Sequence, residues 1–276
     1  MKKLSLLFAA IITILIGQAS FAEDMAKYRI VPNLPQNAQE IVNKVFGEGI
    51  FDLSTYDGIE RFHDYIIEDG VIRRSLNWNP QFGWFAMEKG ATLPREYYVE
   101  GVYGIPGYGA TPSQEPGKYT PEEAAAMALD YLVSIFEIEP TTLVVDKIFA
   151  NEPLKERSRV YEIDYHYVLE GIEVYPHPAD LKFHVTITDN GVEFLSGKIA
   201  TFEYVEPVAA DTIFAPEAMR EKIAQEDAHL ATWEYELVYA PIRTGDDYFL
   251  IPAYKQVTEA GNPFVFDAVT GESLSR

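Results

Sequence analysis

Cysteine is absent from this sequence, which excludes disulfide bonds and a lipid anchor on an N-terminal cysteine. Stability outside the cytoplasm would therefore have to come from the hydrophobic core alone. The HExxH pattern of zinc peptidases and the GxSxG pattern of serine hydrolases are absent as well. We therefore expect a protein that is not an enzyme, with no catalytic residue, no metal and no cofactor.

Basic residues are scarce, since 22 lysines and arginines stand against 43 acidic residues and give a net charge of -21. Such a chain repels nucleic acid and anionic lipid headgroups, so neither is an expected partner. The acidic residues are dispersed along the chain. Dispersed acid is typical of a solvated surface, although a docking surface for a basic partner has the same composition.

Long hydrophobic runs are missing after residue 22, so no later segment is expected to cross a membrane. At the start of the chain, Lys2 and Lys3 precede a short apolar run and a small-x-small cleavage site, Ser-Phe-Ala. This order is typical of a secretory signal peptide. We predict a signal peptide over residues 1–22, a mature chain that begins at Glu23, and export to the periplasm, the cell envelope or the extracellular space.

The first part of the mature chain is predicted to be rich in strands, with one short helix. Asn37 and Glu40 fit the two ends of a capping box, and Gly47 fits the end of that helix. Two strand-like runs then flank Glu68-Asp69-Gly70, which is a hairpin signal. Closely spaced glycines and prolines between residues 104 and 118 predict a linker.

The stretch from Val160 to Val205 predicts an antiparallel sheet with one apolar face. Large apolar residues occupy every second position of 161–169 and of 181–187, a period typical of strands with one buried face. Asn190-Gly191 fits the tight turn of a hairpin. Ala200, Phe202 and Tyr204 continue the same pattern, so we predict a meander that reaches this third run.

A helix that covers the apolar face is predicted just upstream. Thr120 fits its cap, Pro121 its first position and Glu123 the returning bond of a capping box. A second helix, opening at Ala215-Pro216, precedes a second set of alternating strands. We therefore predict an α+β fold with two helix-plus-antiparallel-sheet modules after a small β-rich N-terminal region.

The predicted domain order follows from these elements. It consists of a signal peptide (1–22), a β-rich region (23–103), a linker (104–118), a first module (119–206) and a second module (207–276). Proteases are expected to cut in the linker, and the part after the linker is expected to fold without the part before it.

Two segments resemble known families. Residues 266–274, with the sequence FDAVTGESL, look like the closing hairpin of PepSY domains, which commonly end in an apolar residue and Asp-Ala-x-Thr-Gly-Glu. Residues 161–175 are similar to the propeptide module of thermolysin-like and fungalysin-like metallopeptidases, which carries a Gly-Ile-Pro-Val segment in this setting. Glu173 stands where that family usually has proline.

The resemblance implies helix-on-sheet modules that act outside the cell by binding. Such modules inhibit or chaperone a peptidase, or regulate a membrane partner, and they bring no catalytic residues to carry over. Because the chain stops at Arg276, we expect that it is not the propeptide of a peptidase following in the same chain.

These observations predict an exported, non-enzymatic regulatory or inhibitory binding protein that acts on a peptidase or a membrane-bound sensor. Two other readings of the sequence remain open. The first is a hydrolase that uses acidic residues of the N-terminal region, because 43 acids offer many carboxylate pairs. The second is a structural protein of the cell envelope with no discrete ligand.

The partner is expected to bind the polar faces of the predicted sheets. Candidate contact residues are Glu162, Asp164, His166, Lys182 and His184 in the first module, and Glu234 and Glu236 in the second. Two of them, His166 and His184, lie on neighbouring predicted strands. With Glu162 or Asp164 they could form a metal site, but a solvated pair explains the same pattern and is the prediction.

Overall fold

The computed structural model describes residues 25–35, 37–54, 56, 60–68, 71–89, 118–150, 160–189, 191–258 and 263–274. The predicted signal peptide, the start at Glu23 and nearly all of the predicted linker lie outside these residues. The helices within them are α1 (Ala38–Phe46), α2 (Pro121–Phe136) and α3 (Pro216–Glu226). The strands are β1 (Ala26–Pro32), β2 (Phe62–Glu68), β3 (Val71–Asn79), β4 (Trp84–Glu88), β5 (Leu143–Ala150), β6 (Tyr161–Leu169), β7 (Ile172–Glu173), β8 (Lys182–Thr188), β9 (Gly191–Lys198), β10 (Ala200–Pro207), β11 (Tyr235–Thr244), β12 (Asp247–Gln256) and β13 (Val265–Asp267).

These strands form two mainly antiparallel sheets. An eight-stranded sheet has the order β2-β3-β4-β9-β8-β6-β5, with β7 paired to β6 off this path. A five-stranded sheet has the order β10-β1-β12-β11, with β13 paired to β12. The chain divides into two compact units, of which unit 1 comprises Met1–Val31, Tyr167–Ala179 and Phe202–Arg276, and unit 2 comprises Pro32–His166 and Asp180–Thr201.

The predicted α+β fold of helix-plus-sheet modules is wrong, because the protein is mainly β. Strand β4, from the region expected to precede the modules, pairs along its whole length with β9: Phe85 lies opposite Gly197 and Met87 opposite Leu195. The alternation of apolar and polar residues identifies a strand and its buried face, but it does not indicate which distant strand pairs with it. The boundaries of the predicted domains stay a prediction.

The predicted meander is correct for β6, β8 and β9, which are consecutive neighbours. Strand β10 departs from it, since β10 lies beside β1 in the five-stranded sheet. The departure begins at Ile199, whose N–H donates to the Gly83 carbonyl at 2.8 Å and whose carbonyl accepts from the Asn33 N–H at 2.9 Å. The first bond continues the register of β9 with β4, and the second ties Ile199 to the residue that follows β1. Gly83 has φ of +67°, and a Cβ there would collide with the Ile199 carbonyl, so only glycine fits.

Helix α2 begins as predicted. The Thr120 hydroxyl accepts from the Glu123 N–H at 3.2 Å, and the Glu123 carboxylate accepts from the Thr120 N–H at 2.9 Å. The capping box expected at the start of α1 does not form. The Asn37 side-chain amide donates to the Glu40 carboxylate, and the Asn37 side chain makes no capping hydrogen bond with the helix backbone. Gly47 ends α1 as expected, with φ of +97°.

Helix α2 packs on one face of the eight-stranded sheet within unit 2. The Tyr165 hydroxyl donates to the Ala125 carbonyl at 2.5 Å, and the rings of Phe85 and Phe136 lie 4.5 Å apart. Aromatic and aliphatic side chains, among them Trp78 and Phe183, are fully buried on this face. Burial of such side chains contributes roughly 2–3 kcal/mol each, so this face forms the core of unit 2.

Candidate functional site

The polar face of unit 2 is the face of the eight-stranded sheet that points away from α2. Because side chains alternate, the neighbours of the buried Tyr165 and Phe85 lie on it. Cross-strand partners form two rows across six strands. One row is Asp164, His184, Ser196, Ala86, Asn77 and His63; the other is Glu162, Thr186, Phe194, Glu88, Ser75 and Tyr65.

An aspartate–histidine pair occupies the polar face where β6 meets β8. Asp164 lies directly opposite His184, and its Oδ1 is 2.7 Å from the His184 Nδ1. The other ring nitrogen, Nε2, is 3.4 Å from the Thr186 hydroxyl, and the ring lies 5.8 Å from the Phe194 ring. Both side chains of the pair are about one-third exposed, so the pair is fixed in place while still open to a partner.

Electrostatics favour the charged form of Asp164. Burial raises the pKa of this carboxyl, but the hydrogen bond and charge of His184, with Lys182 and Lys147 further away, outweigh burial and leave the pKa below its ordinary value. A carboxylate that stays ionised can hold the imidazole in one orientation. The pair therefore presents a defined hydrogen-bonding edge rather than two independent side chains.

The other predicted contact residues of the first module separate into exposed and buried ones. Glu162 and Lys182 are exposed on the polar face. His166 is buried at 6% exposure, lies opposite Lys182 and approaches Asp146 at 3.8 Å. The two histidines are thus not cross-strand partners. Within the described part of the chain, no group of three or more histidine, aspartate or glutamate residues is placed to hold a metal ion.

The two glutamates predicted for the second module are positioned differently from each other. Glu236 forms an ion pair with Lys255 at 2.9 Å, and Glu173 approaches the same ammonium at 2.5 Å. Burial lowers the pKa of Lys255, but the two carboxylates outweigh it and raise that pKa overall. Glu234 is exposed and precedes β11, and its carbonyl accepts from the Val257 N–H. Glu173, which departs from the propeptide pattern, thus stabilises unit 1.

Residues of the polar face that the sequence did not reveal come from β3, β4 and β9. Trp84 and Phe194 are half-buried aromatics on this face, and Glu88 lies opposite Phe194. Burial raises the pKa of Glu88, and nearby Glu193 adds to this, although the Ser75 hydroxyl works against it. The alternation of β4 places Trp84 and Glu88 on the face opposite Phe85, but only the pairing of β4 with β9 brings that strand next to the neighbour of β8.

Replacing Glu88 with glutamine is expected to stabilise the protein at pH 7 by less than about 1 kcal/mol, because solvent screens the charge of this half-buried carboxylate. A carboxyl whose pKa is raised by folding contributes stability below its unfolded pKa and loses that contribution as pH rises through the folded pKa. Urea unfolding at pH 7 and at acidic pH measures the effect, which should vanish in acid. Glu162→Gln, at an exposed site, is the control, and equal stability of wild type and Glu88→Gln at pH 7 would refute the expectation.

The side chains around His184 resemble a nucleophilic triad in composition only. A histidine between a carboxylate and a hydroxyl has the composition of a nucleophilic triad, but acyl transfer also needs amide donors for the oxyanion. The backbone around Asp164, His184 and Thr186 is taken up by the strand pairing of β6, β8 and β9. What this face offers is a row of hydrogen-bonding side chains flanked by aromatic rings.

The comparisons with known proteins concern the fold only. No protein family matches the chain, and no curated protein matches it. The structure resembles an uncharacterized protein from Eubacterium rectale ATCC 33656, with a TM-score of 0.52 and 15% sequence identity over 92% of this chain and 86% of that chain. The chain therefore shares its fold with that bacterial protein.

In the described residues, no helix is both long and apolar enough to cross a membrane.

Proposed function

We propose that this protein is an exported, non-enzymatic binding protein that regulates or inhibits a protein partner through the polar face of unit 2. The observation that carries the proposal is the asymmetry of the eight-stranded sheet. On the central strands one face packs against α2 and is buried, whereas the other presents ordered polar side chains and half-buried aromatics across six strands. A face of this breadth fits a macromolecular surface better than a small molecule.

The composition of the polar face favours recognition of a protein. Aromatic residues such as Trp84 and Phe194 supply contact area, and the fixed Asp164–His184 pair supplies directional hydrogen bonds. Exposed Glu162 and the overall charge of -21 favour a basic surface on the partner and speed its approach. The acid also serves solubility, but solubility alone does not require an ordered row.

A peptidase or a membrane-bound sensor is the partner class that we propose, on the resemblance of residues 161–175 and 266–274 to propeptide and PepSY segments. Export is part of the same proposal and rests on the predicted signal peptide. The hydrolase and the structural envelope protein are the competing functions, and the experiment below separates the structural protein from a binding protein.

The proposal is tested by recovery of partners from the native cell envelope on immobilised protein. A polar-face variant combines Glu162→Arg with Thr186→Arg, which places two long cations on neighbouring positions of β6 and β8. We expect this variant to recover the specific partner at least about tenfold less than wild type, as measured by quantitative mass spectrometry, because interface centres tolerate charge reversal poorly.

The matched control makes the same changes of charge on the opposite side of unit 2. Glu122→Arg with Ala126→Arg lies on the exposed side of α2 and should recover the partner as wild type does. A recovered peptidase or membrane sensor supports the proposed partner class. Equal recovery by wild type and the polar-face variant contradicts the proposal, and recovery of nothing specific favours the structural protein.

A further inference from the structure

Large apolar side chains that remain exposed are concentrated on strands at the edges of the sheets. Of the nine such side chains in the described residues, six lie on the edge strands β2, β5 and β10. They are Tyr65, Ile67, Val145, Phe149, Tyr204 and Val205. The fourth edge strand, β11, has no exposed large apolar side chain. Val174 and Tyr175 lie beside β11, and the Tyr175 N–H donates to the Tyr239 carbonyl at 2.8 Å. Exposed apolar residues thus lie on the sheet edges with which no further described strand pairs.

Two of the three edges carry an irregular pairing or a proline, either of which protects a strand from further pairing. The pairing of β2 is irregular between Ile66 and Ile67, as at a β-bulge. Strand β10 ends in Pro207, and its glutamates are engaged by Lys27 and Arg29. Strand β5, with the sequence LVVDKIFA, contains no proline or glycine and is rich in residues that favour strands, and its exposed charges, Asp146 and Lys147, are of opposite sign.

The side chains of β5 differ between its two faces. Asp146 lies on the polar face, where it approaches His166 at 3.8 Å. Alternation places Val145, Lys147 and Phe149 on the other face, and the two apolar side chains there are 38% and 50% exposed. A strand added beside β5 would cover these apolar side chains while its backbone continues the hydrogen-bonding pattern of the sheet.

A second copy of this chain is a poor occupant of that edge. Two identical strands in one antiparallel sheet are related by a two-fold axis perpendicular to the sheet, because residues opposite each other must share a face. The axis then passes beside a residue that faces its own copy. The two registers that pair most of β5 place Asp146 opposite Asp146, or Lys147 opposite Lys147. Like charges directly opposite destabilise a strand pair.

We propose that the outer edge of β5, with which no other strand of the described residues pairs, binds an extended segment of a different protein by strand addition. The segment alternates apolar residues, which cover Val145 and Phe149, with basic residues, one of which lies opposite Asp146. The net charge of -21 favours such a basic segment over an acidic one. This inference rests on the proposed function, because it states how part of the bound partner is held.

The first test uses a fluorescent peptide that alternates valine with lysine as the probe, with binding measured by anisotropy. We expect Val145→Thr with Phe149→Thr to weaken binding at least about tenfold, because threonine keeps the charge and the strand propensity but removes apolar contact. Tyr204→Thr with Val205→Thr on the edge strand β10 is the matched control and should bind as wild type does. A double variant of β5 that binds as wild type does overturns the inference.

Backbone pairing is tested by methylating the amide nitrogens of either all valines or all lysines in the probe. In an antiparallel pair only one of these two sets faces the neighbouring strand. One methylated peptide should therefore lose binding and the other should retain it. If both bind like the parent peptide, the association is only electrostatic and strand addition is refuted.

Hydrogen exchange of the full chain without a probe completes the test. Outward amides of β5 should exchange faster than amides of the central strand β8 and become protected when the probe binds. Amides of β5 that are already as protected as those of β8 would show that the edge is paired within the chain, and the inference would fail. The proposed function fails separately, by the polar-face variant retaining its partner.

Discussion

A chain truncated to residues 120–276 is expected to show no cooperative unfolding. Unit 2 would lose β2, β3 and β4, so β9 would have no neighbour on one side, and the buried Trp78, Phe85 and Met87 would be absent from its core. Unit 1 would lose β1, which lies between β10 and β12 in the five-stranded sheet. Loss of one large buried side chain costs about 3–5 kcal/mol, so loss of several exceeds the stability of a typical domain.

Circular dichroism during urea unfolding and size-exclusion chromatography of the truncated chain measure this effect. Co-expression of residues 23–89 with residues 120–276 is the control, because the separate fragment can return β1 to β4 to their places. Rescue of a cooperative transition by this second fragment attributes the loss to the missing strands. A truncated chain that unfolds cooperatively at the wild-type midpoint would contradict the topology described above and support the independent fold expected from the sequence.

Replacing Lys255 with methionine is expected to lower the free energy of unfolding by about 3 kcal/mol. The lysine side chain is 14% exposed and lies between Glu173 and Glu236, so its removal leaves two carboxylates together without a counter-ion. Because folding raises the pKa of Lys255, its contribution is present at neutral pH and is lost only as pH rises through the folded pKa.

Two further variants identify the cause of the lower stability of Lys255→Met. Lys255→Met combined with Glu173→Gln and Glu236→Gln should recover most of the lost stability, since the uncompensated charges are gone. Lys27→Met removes a partly exposed pair with Glu206 at 3.6 Å and should cost less than about 1 kcal/mol. Urea unfolding of the four proteins gives the values. A triple variant as unstable as Lys255→Met would show that lost packing, and not the uncompensated charge of the two carboxylates, causes the loss of stability.

Local features of the fold could be predicted from the sequence, but the pairing of distant strands could not. The alternation at 161–169 and 181–187 identifies β6, β8 and their buried face, and the capping box at Thr120 identifies the start of α2. The pairings of β4 with β9 and of β1 with β12 join segments far apart in the chain. Those pairings depend on how the apolar surface of the whole chain is buried, and the period of apolar residues within one segment does not indicate this.

The same division applies to the candidate site. Alternation correctly places Asp164 and His184 on one polar face, but register decides that His184 meets Asp164 and that His166 meets Lys182. A shift of the β6–β8 register by two residues would leave every side chain on the same face but would give His184 and His166 other partners. Glu236 illustrates the second difficulty, since its position on β11 is predictable while its ion pair with Lys255 depends on a neighbouring strand.

The most direct measurement of the central claim is site-specific photo-crosslinking in cells that produce the protein. A photoreactive residue is placed at position 186, in the middle of the polar face, and separately at position 126, on the exposed side of α2. Binding through the polar face predicts one discrete crosslinked protein from position 186 and none from position 126. The same product from both positions, or a product from position 126 alone, would contradict it.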